Sequence, residues 1–165
     1  MATKSWVFRG CAGVVLSLVR SISLGAQQPP TISAPANACA SLQTARLPDV
    51  RISEVVGAND SLAHGDNVRA PHCRVSGVIG KEIAFVVMLP NQWNQRLLMG
   101  GNGGFAGSFN RGILANATVG YVTVSTNTGH EDTGDGARWA FHNPERQINY
   151  GYAGVHQSQR RAYGL

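Results

Sequence analysis

Two consecutive segments limit what this chain can fold into more than any others. "CRVSGVIG", Cys73 to Gly80, alternates apolar and polar residues, and "KEIAFVVMLP", Lys81 to Pro90, is an apolar run stopped by proline. Alternation fits a strand with one covered face, and a short apolar run fits a strand buried on both faces. The spacing predicts two strands joined by a tight turn near Gly80-Lys81. Behind them "QRLLMGG" reads as a third strand ending in glycine, "FNRGILANATV" as a short, weak helix, and "VGYVTVSTNTG" as a fourth strand rich in Val and Thr. "HNPERQINYGYAGVHQSQRRAY" then opens a helix with Asn143 as cap and Pro144 at the first helical position, and Ile148, Tyr152 and Val155 follow at helical spacing. A hairpin followed by alternating strands and helices predicts an α/β fold: a mixed, mostly parallel sheet with flanking helices. Between Cys39 and about Ala70 the pattern is irregular, and "LPDVRISEVVG" fits a strand or a helix equally.

The chain has 165 residues, the size of one ordinary domain. Its first 26 residues read as a secretory signal. Lys4 and Arg9 supply the positive start, "CAGVVLSLV" the apolar segment, and Ala26 in "SLGA" the cleavage point. A membrane anchor is the rival, but Arg20 interrupts an apolar run far short of the ~20 residues a span needs. Residues 27–38, "QQPPTISAPANA", read as a Pro/Ala-rich spacer, and residues 39–165 as the compact domain. The whole chain carries 14 Lys and Arg against 9 Asp and Glu. Lys4, Arg9 and Arg20 leave with the signal, so 11 face 9 and the net charge falls from +5 to +2. That balance, without a basic run interleaved with aromatics, argues against a nucleic-acid partner. The expected location is secreted or periplasmic. Cys39 and Cys73 are then the two remaining cysteines, an even pair in an oxidising compartment, and they read as a disulfide. A zinc site wants more ligands at tighter spacing, and a catalytic thiol wants a His facing it, whereas neighbouring His72 would point to the opposite side of a strand.

"RLLMGGNGGFAGSFNRG", Arg96 to Gly112, puts six glycines into seventeen residues behind an apolar run. "GNGGFA", Gly101 to Ala106, fits a dinucleotide fingerprint, but that motif wants an acid at the end of the next strand, and "VSTNTG" supplies none. A phosphate-binding P-loop wants Gly-Lys-Ser/Thr, and no lysine is near. The third reading is an oxyanion hole on the loop between a third strand and a first helix, where glycine lets the backbone approach closely and take positive φ. A flexible turn competes with it evenly at this point.

From Cys73 onward the sequence resembles the tannase/feruloyl esterase family. The matching pieces are "HCRVSGVIGKEIAFVVMLPNQWNQRLLMGGNGGFAG", "GYVTVSTNTGH" and "WAFHNPERQINYGYAGVHQ", covering roughly residues 72 to 157. The resemblance implies the N-terminal, incomplete part of an α/β-hydrolase fold with a lid inserted late in the chain. It implies serine-type cleavage of aromatic-acid esters by a Ser-Asp-His triad. By position, the backbone amide of Gly104 would serve the oxyanion, with Gly103 as the fallback. Cys39 in "NACASL" would be the first half of the family's N-terminal disulfide, with Cys73 its partner. The family's nucleophile sits in a Cys-Ser-x-Gly-Gly elbow. The sequence contains no such segment and no G-x-S-x-G. The expectation is therefore a chain that is inactive alone, with an exposed sheet edge prone to aggregation. Its substrate, a small aromatic ester, would be bound by the full-length parent. No cofactor or metal is expected here, because the family's calcium site would lie in the lid. The alternative is an exported, non-catalytic binding or structural domain that reuses the half-fold.

Other residues carry weaker signals. His130 in "TGHEDTGDG" follows the fourth strand, and a structural role near the site outweighs that of catalytic base. Trp139 follows the same polar loop and is, with His130, a candidate substrate contact. Glu131, Asp132 and Asp135 miss the calcium-loop spacing and read as a solvated loop. Trp93 reads as a packing residue at a turn. Ser108 is a tempting nucleophile without an elbow or a base. Asn59 and Asn116 head N-x-S/T sequons, which also arise by chance.

Overall fold

The structure, a computed structural model, describes residues 32–33, 38–58, 66–105 and 107–165. The expected signal, Asn59 and most of the expected spacer lie outside the described residues. Within that spacer, Ile32–Ser33 forms a short strand β1, and Ala38 opens helix α1, Ala38–Leu42. The ambiguous segment resolves as a strand, β2, Val50–Ala58. Strands β3, His72–Ile79, and β4, Ile83–Pro90, form the expected hairpin, with Gly80 of the turn at φ 59°. Strand β5, Gln92–Trp93, pairs with β1 through Ile32 opposite Trp93, and the half-buried Trp93 donates its Nε1–H to the Arg96 carbonyl at 3.2 Å. Strand β6, Leu97–Met99, leads into the glycine loop. Helix α2, Arg111–Leu114, runs on as a 3₁₀ segment, Ala115–Val119, before strand β7, Val122–Thr126.

The main sheet has the order β2-β3-β4-β7-β6. It is mixed and flanked by helices, as expected, but the expected predominance of parallel pairing does not hold. Pairings β2–β3, β3–β4 and β4–β7 are antiparallel, and only β6–β7 is parallel. Among the described strands only β6 and β7 are neighbours joined by a helical crossover, and the other neighbouring pairs run in opposite directions, so the sheet holds a single parallel pair.

The apolar run of β4 is buried on both faces because the sheet is covered on both. Ile83, Phe85 and Val87 join Val75, Ile79, Val124 and Ala162 on one side. Val86 and Met88 join Val68, Leu114 and Ala117 on the other. Strand periodicity of two separates the sets. The second face is closed by α2 and its 3₁₀ extension, the first by the C-terminal helical segment. Cys39 and Cys73 are bonded, with Cα atoms 5.5 Å apart, and this ties α1 to β3. Arg74 of β3 is nearly buried and meets Asp66 at 3.0 Å and Glu54 at 2.8 Å, so its charge is paired where water is scarce.

The C-terminal segment is helical, with α3 at Pro144–Ile148, a π-turn at Asn149–Ala153, and α4 at Gly154–Ala162. Asn143 caps it as expected, its side chain accepting from the Arg146 amide at 3.1 Å. The stripe of Ile148, Tyr152 and Val155 points outward: Ile148 is 60% and Tyr152 65% exposed. The sheet instead meets the small face Gly154, Ser158 and Ala162. Small residues let the helix approach closely, and the π-turn shifts the register between the two halves.

Candidate active site

The glycine loop spans the gap between the tip of β6 and the start of α2, at the carboxyl end of the parallel pair. Its position is fixed by side-chain hydrogen bonds, one from the loop to β7 and three to its own carbonyl oxygens. Asn102 Nδ2 donates to the carbonyl of Thr126, the last residue of β7, at 2.7 Å. Asn110 Nδ2 donates to the Gly101 carbonyl at 3.0 Å, while Asn110 Oδ1 accepts from the Ile113 amide at 3.2 Å and caps α2. The Tyr150 hydroxyl donates to the Gly104 carbonyl. His130 Nε2 donates to the Phe105 carbonyl at 2.9 Å. A carbonyl only accepts, so Nε2 carries the hydrogen.

The amides of Gly103, Gly104 and Phe105 meet no described acceptor. A Cβ placed on Gly103 or Gly104 would find no atom within 4 Å, and all three residues are exposed. Gly104 has φ 59°, the left-handed region that favours glycine. The loop therefore has the carbonyls of Gly101, Gly104 and Phe105 bound by protein donors and leaves the consecutive N–H groups of Gly103, Gly104 and Phe105 open. Open consecutive N–H groups are the kind of donor set that can bind an anion.

His130 is 2% exposed and sits beneath this loop rather than in open space. Its ring stacks on Trp139 with centroids 3.8 Å apart and planes 15° apart, and Nδ1 lies 3.4 Å from the Thr128 hydroxyl. Gly107 packs against it so closely that a Cβ there would lie 2.5 Å from the His130 carbonyl. His130 and Trp139 also line a cleft of about 730 Å³ whose other walls include Lys81, Glu82, Arg138 and Arg146. Glu82 binds the Arg146 guanidinium through contacts of 2.8 to 3.1 Å and raises its already high pKa. Gly103 and Gly104 do not line this cleft, so the structure joins His130 to the glycine loop through Phe105 and to Trp139 through stacking, on two different sides.

Other residues singled out in the sequence lie apart. Ser108 is exposed, and no described His or carboxylate bonds to it. Asp132 and Asp135 are exposed, with Asp132 accepting from the Gly134 amide at 2.9 Å. Asn116 turns its side chain inward to the Gly112 and Ile113 carbonyls, at 2.9 and 3.2 Å. Tyr150 was not predicted as part of the site. It sits on the π-turn, and periodicity gives no warning of a register shift there. No described helix is long and apolar enough to cross a membrane.

Comparison with known proteins places this arrangement. The chain is 29% identical to an uncharacterized esterase of Agrobacterium fabrum, covering 73% of this chain and 26% of that protein. It is 33% identical to an uncharacterized esterase of Xanthomonas campestris pv. campestris, covering 74% and 23% respectively. It therefore spans about a quarter of the length of these curated relatives. Among solved structures it resembles an esterase from Aspergillus oryzae, with a TM-score of 0.66 at 26% identity, over 75% of this chain and 28% of that one. It also shares the fold of feruloyl esterase B from Aspergillus oryzae, with a TM-score of 0.61 at 24% identity, over 75% and 28%. The profile of tannase and feruloyl esterase matches residues 67–165, a span that contains the hairpin, the glycine loop and the three residues, Asn110, His130 and Tyr150, that hold its carbonyls, and the chain belongs to that family.

Proposed function

We propose that this chain supplies the oxyanion-hole part of an exported serine carboxylic-ester hydrolase acting on aromatic-acid esters, and that it is inactive alone. The observation that carries the reading is the glycine loop at the strand tips, with the Gly101, Gly104 and Phe105 carbonyls taken up and the amides of Gly103, Gly104 and Phe105 open. In acyl transfer the carbonyl oxygen becomes negative as the nucleophile attacks. Open amides already aimed at that position stabilise the transition state by roughly 3–4 kcal/mol each. Gly104 and Gly103 are the assigned donors. The sequence carries no nucleophile elbow, so the serine and its base come from elsewhere in the parent protein. Trp139 and His130 shape the neighbouring cleft, Trp139 as an aromatic wall and His130 as support for the loop. The Cys39–Cys73 disulfide supports export.

The test replaces the matched segment of the Agrobacterium esterase with residues 67–165 and assays the chimera and the isolated chain on methyl gallate and methyl ferulate. The chimera turns over at least one ester and the isolated chain turns over neither. Turnover by the isolated chain, or a folded chimera that binds an aromatic acid without cleaving its ester, would contradict the reading.

A further inference from the structure

The glycine loop has little of its own to hold it. Around Gly101, Gly103 and Gly104 there are no neighbouring atoms that a side chain would meet, so packing does not fix their peptide planes. Three glycines in four residues would otherwise sample many conformations. Asn110 and Asn102 anchor the start of the loop, and what fixes the peptide planes at its far end is a pair of donors from two separate elements. Tyr150, on the π-turn, binds the Gly104 carbonyl, and His130, after β7, binds the Phe105 carbonyl. A trans peptide is planar, with its C=O and N–H pointing in opposite directions. Holding the Gly104 carbonyl toward Tyr150 therefore turns the Phe105 N–H to the other side. Holding the Phe105 carbonyl stops that residue from rotating back.

The two donors are themselves locked. His130 is buried, stacked on Trp139 and pressed by Gly107. The Tyr150 ring lies 5.7 Å from His130, 5.1 Å from Trp139 and 6.4 Å from Phe105, centroid to centroid. π-turns recur at functional sites, and this one brings Tyr150 onto the loop. We propose that His130 and Tyr150 are positioning residues for the oxyanion amides, a clamp on two consecutive carbonyls that fixes the N–H of Phe105 as a donor beside those of Gly103 and Gly104. The inference rests on the oxyanion reading above and adds what preorganises it. It also makes Phe105 a donor alongside the two glycines.

The test uses the ¹⁵N-labelled full chain titrated with benzoate, a planar carboxylate that puts negative oxygen where an ester would. In the unsubstituted chain the Gly103, Gly104 and Phe105 amide signals shift together and saturate. Tyr150→Phe removes one oxygen and leaves the ring contacts. It weakens benzoate binding about fivefold, in line with loss of one aligned hydrogen bond, while the thermal midpoint holds. His130→Leu weakens it similarly, and His130→Gln, which restores a donor near the Nε2 position, recovers binding to within about twofold. Should His130→Leu fail to fold, Tyr150→Phe decides alone. Equal benzoate affinity in the unsubstituted chain and Tyr150→Phe overturns the clamp and leaves the oxyanion reading standing. No response of the three amides in the unsubstituted chain removes the oxyanion reading, and the clamp with it.

Discussion

At the scale of single residues, the loop and its supports are set by a few polar side chains with two tasks each. Asn110 caps α2 with its oxygen and holds the Gly101 carbonyl with its nitrogen. Asn110→Ala removes both and should destabilise the chain by about 1–2 kcal/mol in urea unfolding, with Asn110→Asp recovering the cap but not the loop bond. Gly107 leaves room for the His130 carbonyl 2.5 Å from where a Cβ would sit, so Gly107→Ala should cost about 1–3 kcal/mol and shift the His130 ring resonances. Arg74 is nearly buried between Asp66 and Glu54. Asp66→Ala leaves its guanidinium with the half-exposed Glu54 alone, a loss of about 3 kcal/mol measured by urea or thermal unfolding. The sequence made the glycines and His130 visible, because glycine clusters and a histidine behind a strand are rare enough to notice. It gave no sign of Tyr150 or Asn102, whose roles come from one hydrogen bond each to a distant carbonyl.

Among elements, the strands were the most legible part. Alternation in β3 and the apolar run of β4 reflect one period of two seen by a sheet with both faces covered, and Pro90 marks the end. The capping of α3 was also legible, because Asn143 and Pro144 act within one turn. The direction of the C-terminal stripe was not. Spacing identified a helix, yet Ile148, Tyr152 and Val155 face away from the sheet, and the covered face is made of Gly154, Ser158 and Ala162. Small residues at a close contact look neutral in a sequence. β2 stayed ambiguous because its burial is partial and Arg51, Ser53 and Glu54 break its pattern. The disulfide joins α1 to β3 across a separation of 34 residues, and its reduction should lower stability by about 3–4 kcal/mol, seen as a fall in the urea midpoint on adding dithiothreitol. The hairpin turn is tied to α3 by Lys81, whose ammonium donates to Glu145 at 2.8 Å. That bond, followed by the charge of Glu145, raises the Lys81 pKa above its ordinary 10.5. The tie is complete at neutral pH and is lost as pH rises through the raised value. Lys81→Met should therefore flatten the alkaline limb of the stability profile, by a small amount because the pair is exposed.

For the whole molecule, the sheet ends at β6, a strand of three residues that pairs only with β7 among the described residues. Both faces of β4 are nonetheless closed, by α2 and its extension on one side and by α4 on the other. The chain should therefore show a cooperative unfolding transition together with self-association that grows with concentration through the β6 edge. Sizing chromatography over a dilution series measures this. The family and its fold were legible because the hairpin, the glycine loop and Thr-Gly-His stand in order along the sequence; the balance of parallel and antiparallel pairing was not, since it depends on which strands become neighbours. In the proposed reading the amides around Gly104 hold the negative oxygen of the transition state. The most direct measurement is ester turnover by the Agrobacterium chimera carrying Gly104→Val. At φ 59° a β-branched residue is strongly disfavoured, so the loop turns and its amides lose their aim. The chimera's kcat should fall about a hundredfold or more with KM little changed; an unchanged kcat in a folded chimera would rule out an oxyanion role for these amides.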